Sequence, residues 1–180
     1  MKKYLISCIL VLTSIVSVNA QSVIENWEGE YEGQMIIGFV DRPNDSVSVQ
    51  FELLPIVPDS IWSYIMTYNS KRYGEIIKAY EIHWDGESST NFVLDEKDGI
   101  LIEMSLMNGC FYEMFEVLDR LYTTTLRKID DDILFDLFTA SIKNKSVFNS
   151  EEDEEGVSYE VTSYKPTQHQ TVLLKRITAK

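Results

Sequence analysis

The chain has 180 residues, with 29 acidic against 16 basic side chains and a formal net charge of −13. An acidic excess of that size repels polyanions, which excludes nucleic acid and anionic membrane surfaces as partners. At 44% apolar residues the chain carries enough hydrophobic surface to build a full core.

Met1 to Ala20 reads as an export signal. Lys2 and Lys3 open it, Tyr4 to Val18 is almost wholly apolar, and Val18-Asn19-Ala20 places small residues at a cleavage point. The apolar run is shorter than the roughly twenty residues of a spanning helix, so cleavage is expected rather than a retained anchor. Cys8 lies inside that run and away from the cleavage point, which argues against lipoprotein processing. Cleavage leaves residues 21–180 as one domain of 180 − 20 = 160 residues, exported to a periplasm or the exterior, with no membrane span. Two lysines and no acids depart, so the charge becomes −13 − 2 = −15. Cys110 is then the single cysteine, no internal disulfide forms, and a packed thiol in a monomer is expected.

From Trp27 to Met35 the chain alternates cleanly. Trp27, Gly29, Tyr31, Gly33 and Met35 take one face, while Glu28, Glu30, Glu32 and Gln34 take the other, which predicts a strand with one wet side. Glycines on the inward face suit a strand that bends sharply or is closely approached. After the Asp41–Ser46 turn, Val47, Val49, Phe51 and Leu53 repeat the pattern until Pro55 and Pro58. Trp62, Tyr64, Met66 and Tyr68, then Ile76, Tyr80, Ile82 and Trp84, form the face richest in aromatic residues, with Asp85-Gly86 as the next turn. Phe92 and Leu94 meet Met104 and Ile102 if Lys97-Asp98-Gly99 is a three-residue loop with Gly99 in the left-handed region.

Asn108-Gly109 is the strongest hairpin signal in the chain, because both residues of that turn tolerate positive φ. It sets Met107 against Cys110, Leu106 against Phe111, Met104 against Glu113 and Ile102 against Phe115. One face is thus apolar except for Glu113. Leu121–Ile129 is a further strand. Asp132 could cap a helix over 133–142, but its all-strand neighbours and short connections favour a strand. Asn144–Gly156 reads as a long solvated loop around the acidic run Glu151–Glu155, which lacks the spacing of a calcium loop. Val157–Tyr164 and His169–Ile177 read as a last hairpin across Pro166.

About ten strands with hairpin-length connections predict an all-β chain. The expected architecture is a single antiparallel up-and-down β-barrel, since closure removes exposed edges. Trp27 and Gly29 on the first strand with Arg176 on the last resemble exported calycin-type barrels, which include the lipocalins. The order Trp27-x-Gly29-x-Tyr31-x-Gly33 is similar to the nitrobindin opening Trp-x-Gly-x-Gly-x-Gly, with Tyr31 at one glycine position. His169, seven residues before Arg176, is similar to that family's last strand, where the histidine binds haem. The resemblance implies a calycin/lipocalin-like barrel, pairing of the first and last strands, and haem at His169 as one option.

The residue types leave three functions open. Aromatic residues on inward faces, namely Trp27, Tyr31, Trp62 and Tyr64 together with Tyr80, Trp84, Phe111 and Phe115, could line a lumen for a small hydrophobic or planar ligand without any cofactor. The same rings could fill the barrel, leaving a structural or protein-interaction module of the cell envelope. A haem barrel is the third. His83 has no acid or cysteine partner at metal spacing along the chain, and no metal site is expected. Glu113 is expected near a wet rim, paired with Lys128 across an Asp119-Arg120 turn, rather than catalytic. No nucleophile motif points to an enzyme.

Overall fold

The computed structural model describes residues 24–84 and 86–177, so the export signal and Asp85 lie outside the described residues. A single 3-10 turn, Glu25–Trp27, precedes an all-strand chain: β1 (Gly29–Phe39), β2 (Asp45–Leu53), β3 (Pro55–Val57), β4 (Ile61–Ser70), β5 (Gly74–Trp84), β6 (Asn91–Asp95), β7 (Leu101–Met107), β8 (Cys110–Val117), β9 (Arg120–Ile129), β10 (Asp132–Ser141), β11 (Ser146–Asn149), β12 (Glu160–Ser163) and β13 (Pro166–Arg176). The strands run β2-β1-β13-β10-β9-β8-β7-β6-β5-β4, and a β2–β4 pairing closes them into a ten-stranded antiparallel barrel. Every long strand is therefore paired on both edges, which leaves no open ladder. The described residues contain no helix long and apolar enough to cross a membrane.

Local signals place the strands as the sequence predicts. Asn108 and Gly109 turn at φ 51° and 69°, pairing Met107 with Cys110 and Met104 with Glu113. Phe92 opposes Met104 and Leu94 opposes Ile102, with Glu96 N–H bonded to Ile100 O at 3.0 Å around the Lys97–Gly99 loop. Residues 132–141 form β10, whose Ile133 and Phe135 are buried while Asp136 faces outward. Pairing with β9 and β13 on its two edges supplies the strand bonds that a capped helix would forfeit.

Two connections differ from expectation. The β8–β9 turn is Leu118-Asp119 (φ 48° and 64°), with Val117 opposite Arg120. Two positive-φ residues match the twist of flanking strands, and this register sets Glu113 opposite Thr124 rather than near Lys128. Lys128 instead bonds Asp131 O at 2.7 Å at the far end of its strand. The expected last hairpin also does not form. β12 pairs with β11 in a separate two-stranded ribbon, whereas β13 lies between β1 and β10. Pairing β13 with its sequence neighbour would leave β1 and β10 with bare edges; the ribbon lets the chain turn back and seal the ring.

The barrel has two unlike ends. At one lie the 3-10 turn, the Asn108-Gly109 hairpin and the end of β13; at the other lie the 71–73, 96–100 and 118–119 loops and the ribbon. The first end is filled by Trp27, Leu53, Trp62, Phe111 and Leu174, all under 5% exposed. Rings of that size stabilise a fold by about 2–3 kcal/mol each when buried. Gly33 makes the tight closure between β1 and β13 feasible: a Cβ there would stand 2.5 Å from Val172 Cγ2 and 2.6 Å from Leu173 O.

Candidate functional site

The closed end is sealed by a polar clasp. Tyr31 faces Arg176 across the β1–β13 ladder, and its hydroxyl donates to Trp27 O while accepting from Arg176 Nη2 at 2.9 Å. Arg176 also donates to Asn26 O at 3.0 Å, and its guanidinium carbon stands 5.2 Å from the Tyr31 ring centre. The predicted first-to-last strand closure is present, with Tyr31 rather than Trp27 beneath the cation. Trp27 meets Phe111 edge-on at 5.0 Å, and Trp62 Nε1 donates to Glu28 Oε1 at 2.9 Å. These groups bond and pack against one another, and Trp27, Tyr31 and Trp62 are buried.

The open half is different. A cavity of about 320 Å³ lies among the seven consecutive strands β4 to β10, walled by Met66, Leu94, Ile102, Phe135 and Leu137. Tyr64 and Tyr80 stack at 6.3 Å on one side, and Phe115 stacks on Tyr122 at 5.1 Å and 5° on the other. Period-two alternation brings these residues inward, and the strand stagger sets their depth. At the mouth stand Lys78 and Glu96.

Glu113 lies in this wall at 5% exposure. Its carboxyl bonds Thr124, also buried, but Oε1 has no hydrogen-bond partner. Burial pushes its pKa up to about 7, with the nearby negative charge of Glu96 adding to the effect. The Tyr64 hydroxyl is raised well above its ordinary value by burial and by Glu113, and those of Tyr68 and Tyr80 are raised mainly by burial. The expected wet rim and Lys128 partner of Glu113 are thus replaced by a dry, half-satisfied carboxyl. The apolar face it interrupts in the sequence was the signal; its depth depended on the true β8–β9 turn.

Of the residues expected to line the lumen, Tyr64, Tyr80 and Phe115 surround the cavity. Trp27, Tyr31, Trp62 and Phe111 pack the closed end instead, and Trp84, half-buried at that same end, donates its indole N–H to Ser88 O. Tyr68, from the same aromatic face, also lines the pocket, and Tyr122, Thr124 and Leu137, which were not singled out in advance, complete it.

Both histidines face outward. His169 lies in the outer face beside Phe138, stacked at 4.3 Å, with Nε2 2.8 Å from Asp136 Oδ1. A haem in the lumen therefore finds no imidazole there, and the residues present do not fit that group. His83, expected to lack acidic partners, has two: Glu81 Oε2 at 3.0 Å and Asp95 Oδ2 at 4.0 Å. Cross-strand pairing of β5 with β6 assembles this trio. Lys97 already pairs with Glu81 at 2.8 Å and holds its carboxyl below the usual range.

No family model matches the chain, and no curated protein matches it in sequence. Among solved structures it is similar to the S-type phycobiliprotein lyase CPES from Guillardia theta, at TM-score 0.59 and 8% identity over 89% of this chain and 96% of that one. It is similar to Rv2717c from M. tuberculosis at TM-score 0.56 and 8% identity, over 86% of this chain and 95% of that one. A protein of unknown function from the DUF3598 family of Nostoc punctiforme aligns at TM-score 0.57 and 13% identity over 86% of this chain; the chain spans about half the length of that protein, 49%. At such identities the likeness concerns the fold. The protein is a ten-stranded barrel of the calycin-like kind.

Proposed function

We propose that this protein is an exported barrel that binds a small hydrophobic or planar molecule, non-covalently, in the open half of its lumen. The observation that carries the reading is the cavity of about 320 Å³ between the tyrosine pair and the Phe115–Tyr122 stack. That volume falls within the usual span of small-molecule sites, and its walls are mostly apolar with a few convergent polar groups. The packed closed end acts as a floor, so the ligand enters past Lys78 and Glu96 and stops above Phe111. Export rests on the signal pattern of Met1–Ala20.

Native mass spectrometry of freshly purified protein tests the reading. A bound mass that is lost on denaturation, or saturable quenching of tryptophan fluorescence by a panel of lipids and porphyrins, is expected, without a Soret band. A bare mass with no quenching overturns it. That result would favour an envelope interaction module, a reading supported by the ribbon's exposed Val147, Phe148, Tyr159 and Val161. N-terminal sequencing of protein recovered outside the cytoplasm should begin at Gln21; an intact Met1 there overturns the export reading.

A further inference from the structure

We infer that the lumen selects an amphiphile with an amine or other N–H donor at its buried end, held by the carboxyl of Glu113. The inference rests on the lumen-binding reading above and names the ligand class. Three observations converge on it. Glu113 is 5% exposed and lies in the cavity wall, and one of its oxygens has no partner. A buried acceptor without a donor is costly, so a ligand that brings one gains the full difference between an unmet and a met hydrogen bond. The surroundings also discriminate by sign. Glu96 lines the mouth beside Tyr80, Asp98 adds its field, and the chain as a whole is strongly acidic. Lys78 is the opposing cation among the residues lining the cavity, and it sits exposed at the rim. Once Glu113 is ionised, a fatty-acid carboxylate driven to the floor meets it with acceptor facing acceptor, whereas an ammonium meets it with complementary charge.

The polar groups facing Glu113 fix the geometry further. Thr124 occupies one side of its carboxyl, and the hydroxyls of Tyr64 and Tyr80 lie within its electrostatic reach. The free oxygen is thus left for the ligand, while Phe115 and Tyr122 offer a flat wall to its apolar body. Ionisation of Glu113 near neutrality strengthens the contact as pH rises, provided that the ligand amine stays charged.

Calorimetric titration of the purified protein with three matched probes, 1-naphthylmethylamine, 1-naphthylmethanol and 1-naphthoate, tests the inference. The amine should bind at least about tenfold more tightly than the alcohol, with the carboxylate weakest. Its advantage should grow between pH 6 and pH 8. Glu113→Gln should bring amine and alcohol to within about twofold of each other. Equal binding of all three probes, or an amine preference that survives Glu113→Gln, overturns the inference and leaves lumen binding standing. Binding of none of them to folded protein overturns both. The ranking in the unaltered protein, and its pH dependence, decide the matter even where the variant fails to fold.

Discussion

Replacing Glu113 with Gln in the ligand-free protein should make its stability less sensitive to pH, with a sign and size set by the burial. The carboxyl has an ordinary pKa of 4.5 and is pushed up to about 7 in the folded chain. Below pH 4.5 it is protonated in both folded and unfolded states and imposes no penalty. Between these values the unfolded chain sheds the proton and the folded chain keeps it, so unfolding becomes easier as pH rises. Above about pH 7 the penalty is complete. A shift of that width, at about 1.4 kcal/mol per pH unit, amounts to about 3 kcal/mol. Gln keeps the shape and a partner for Thr124 but cannot ionise. Urea unfolding of both proteins from pH 4 to pH 8.5 should give stabilities within about 1 kcal/mol at the acid end, diverging to about 3 kcal/mol in the variant's favour at the alkaline end. Comparing the two curves cancels other carboxylates, including Glu81, whose lowered pKa works in the opposite direction. A constant offset across the whole range would refute the buried, half-satisfied placement of Glu113.

Substitutions at Arg176 and Gly33, each with a control, probe the closure of β1 on β13. Arg176→Met removes the bonds to Tyr31 Oη and Asn26 O and should lower stability by about 2 kcal/mol in chemical denaturation, with Arg176→Lys recovering only part because a point charge cannot span both acceptors. No loss in either variant would show that the clasp does not close the barrel. Gly33→Ala should cost about 1–3 kcal/mol, since its Cβ would press on Val172 and on the Leu173 carbonyl, whereas Gly38→Ala, whose Cβ would meet its nearest atom at 3.6 Å, should melt within about 0.5 kcal/mol of the parent. Equal effects at both glycines would refute the close approach of β1 and β13.

The amino-acid sequence by itself determined the strand faces and several registers. Asn108-Gly109 and Lys97-Asp98-Gly99 are short-range signals, so they set Met104 against Glu113 and Phe92 against Met104 without help from the rest of the chain. The resemblance carried by Trp27, Gly29, Gly33 and Arg176 implied that the first and last strands would meet, and β1 and β13 do. Alternation cannot say how far along the barrel axis an inward ring will lie, because depth comes from strand stagger around the closed ring. That is why Trp62 and Phe111 proved to be floor while Tyr64 and Phe115 became wall. Nor does one strand reveal its neighbour's side chains: Asp95 reaches His83, and Thr124 reaches Glu113, only through ladders formed after folding. Tertiary structure alone decided that β13 would leave its sequence neighbour and take β10 as its second partner, since sealing two edges outweighs pairing one hairpin. The open cavity and its unsatisfied carboxyl are consequences of that closure.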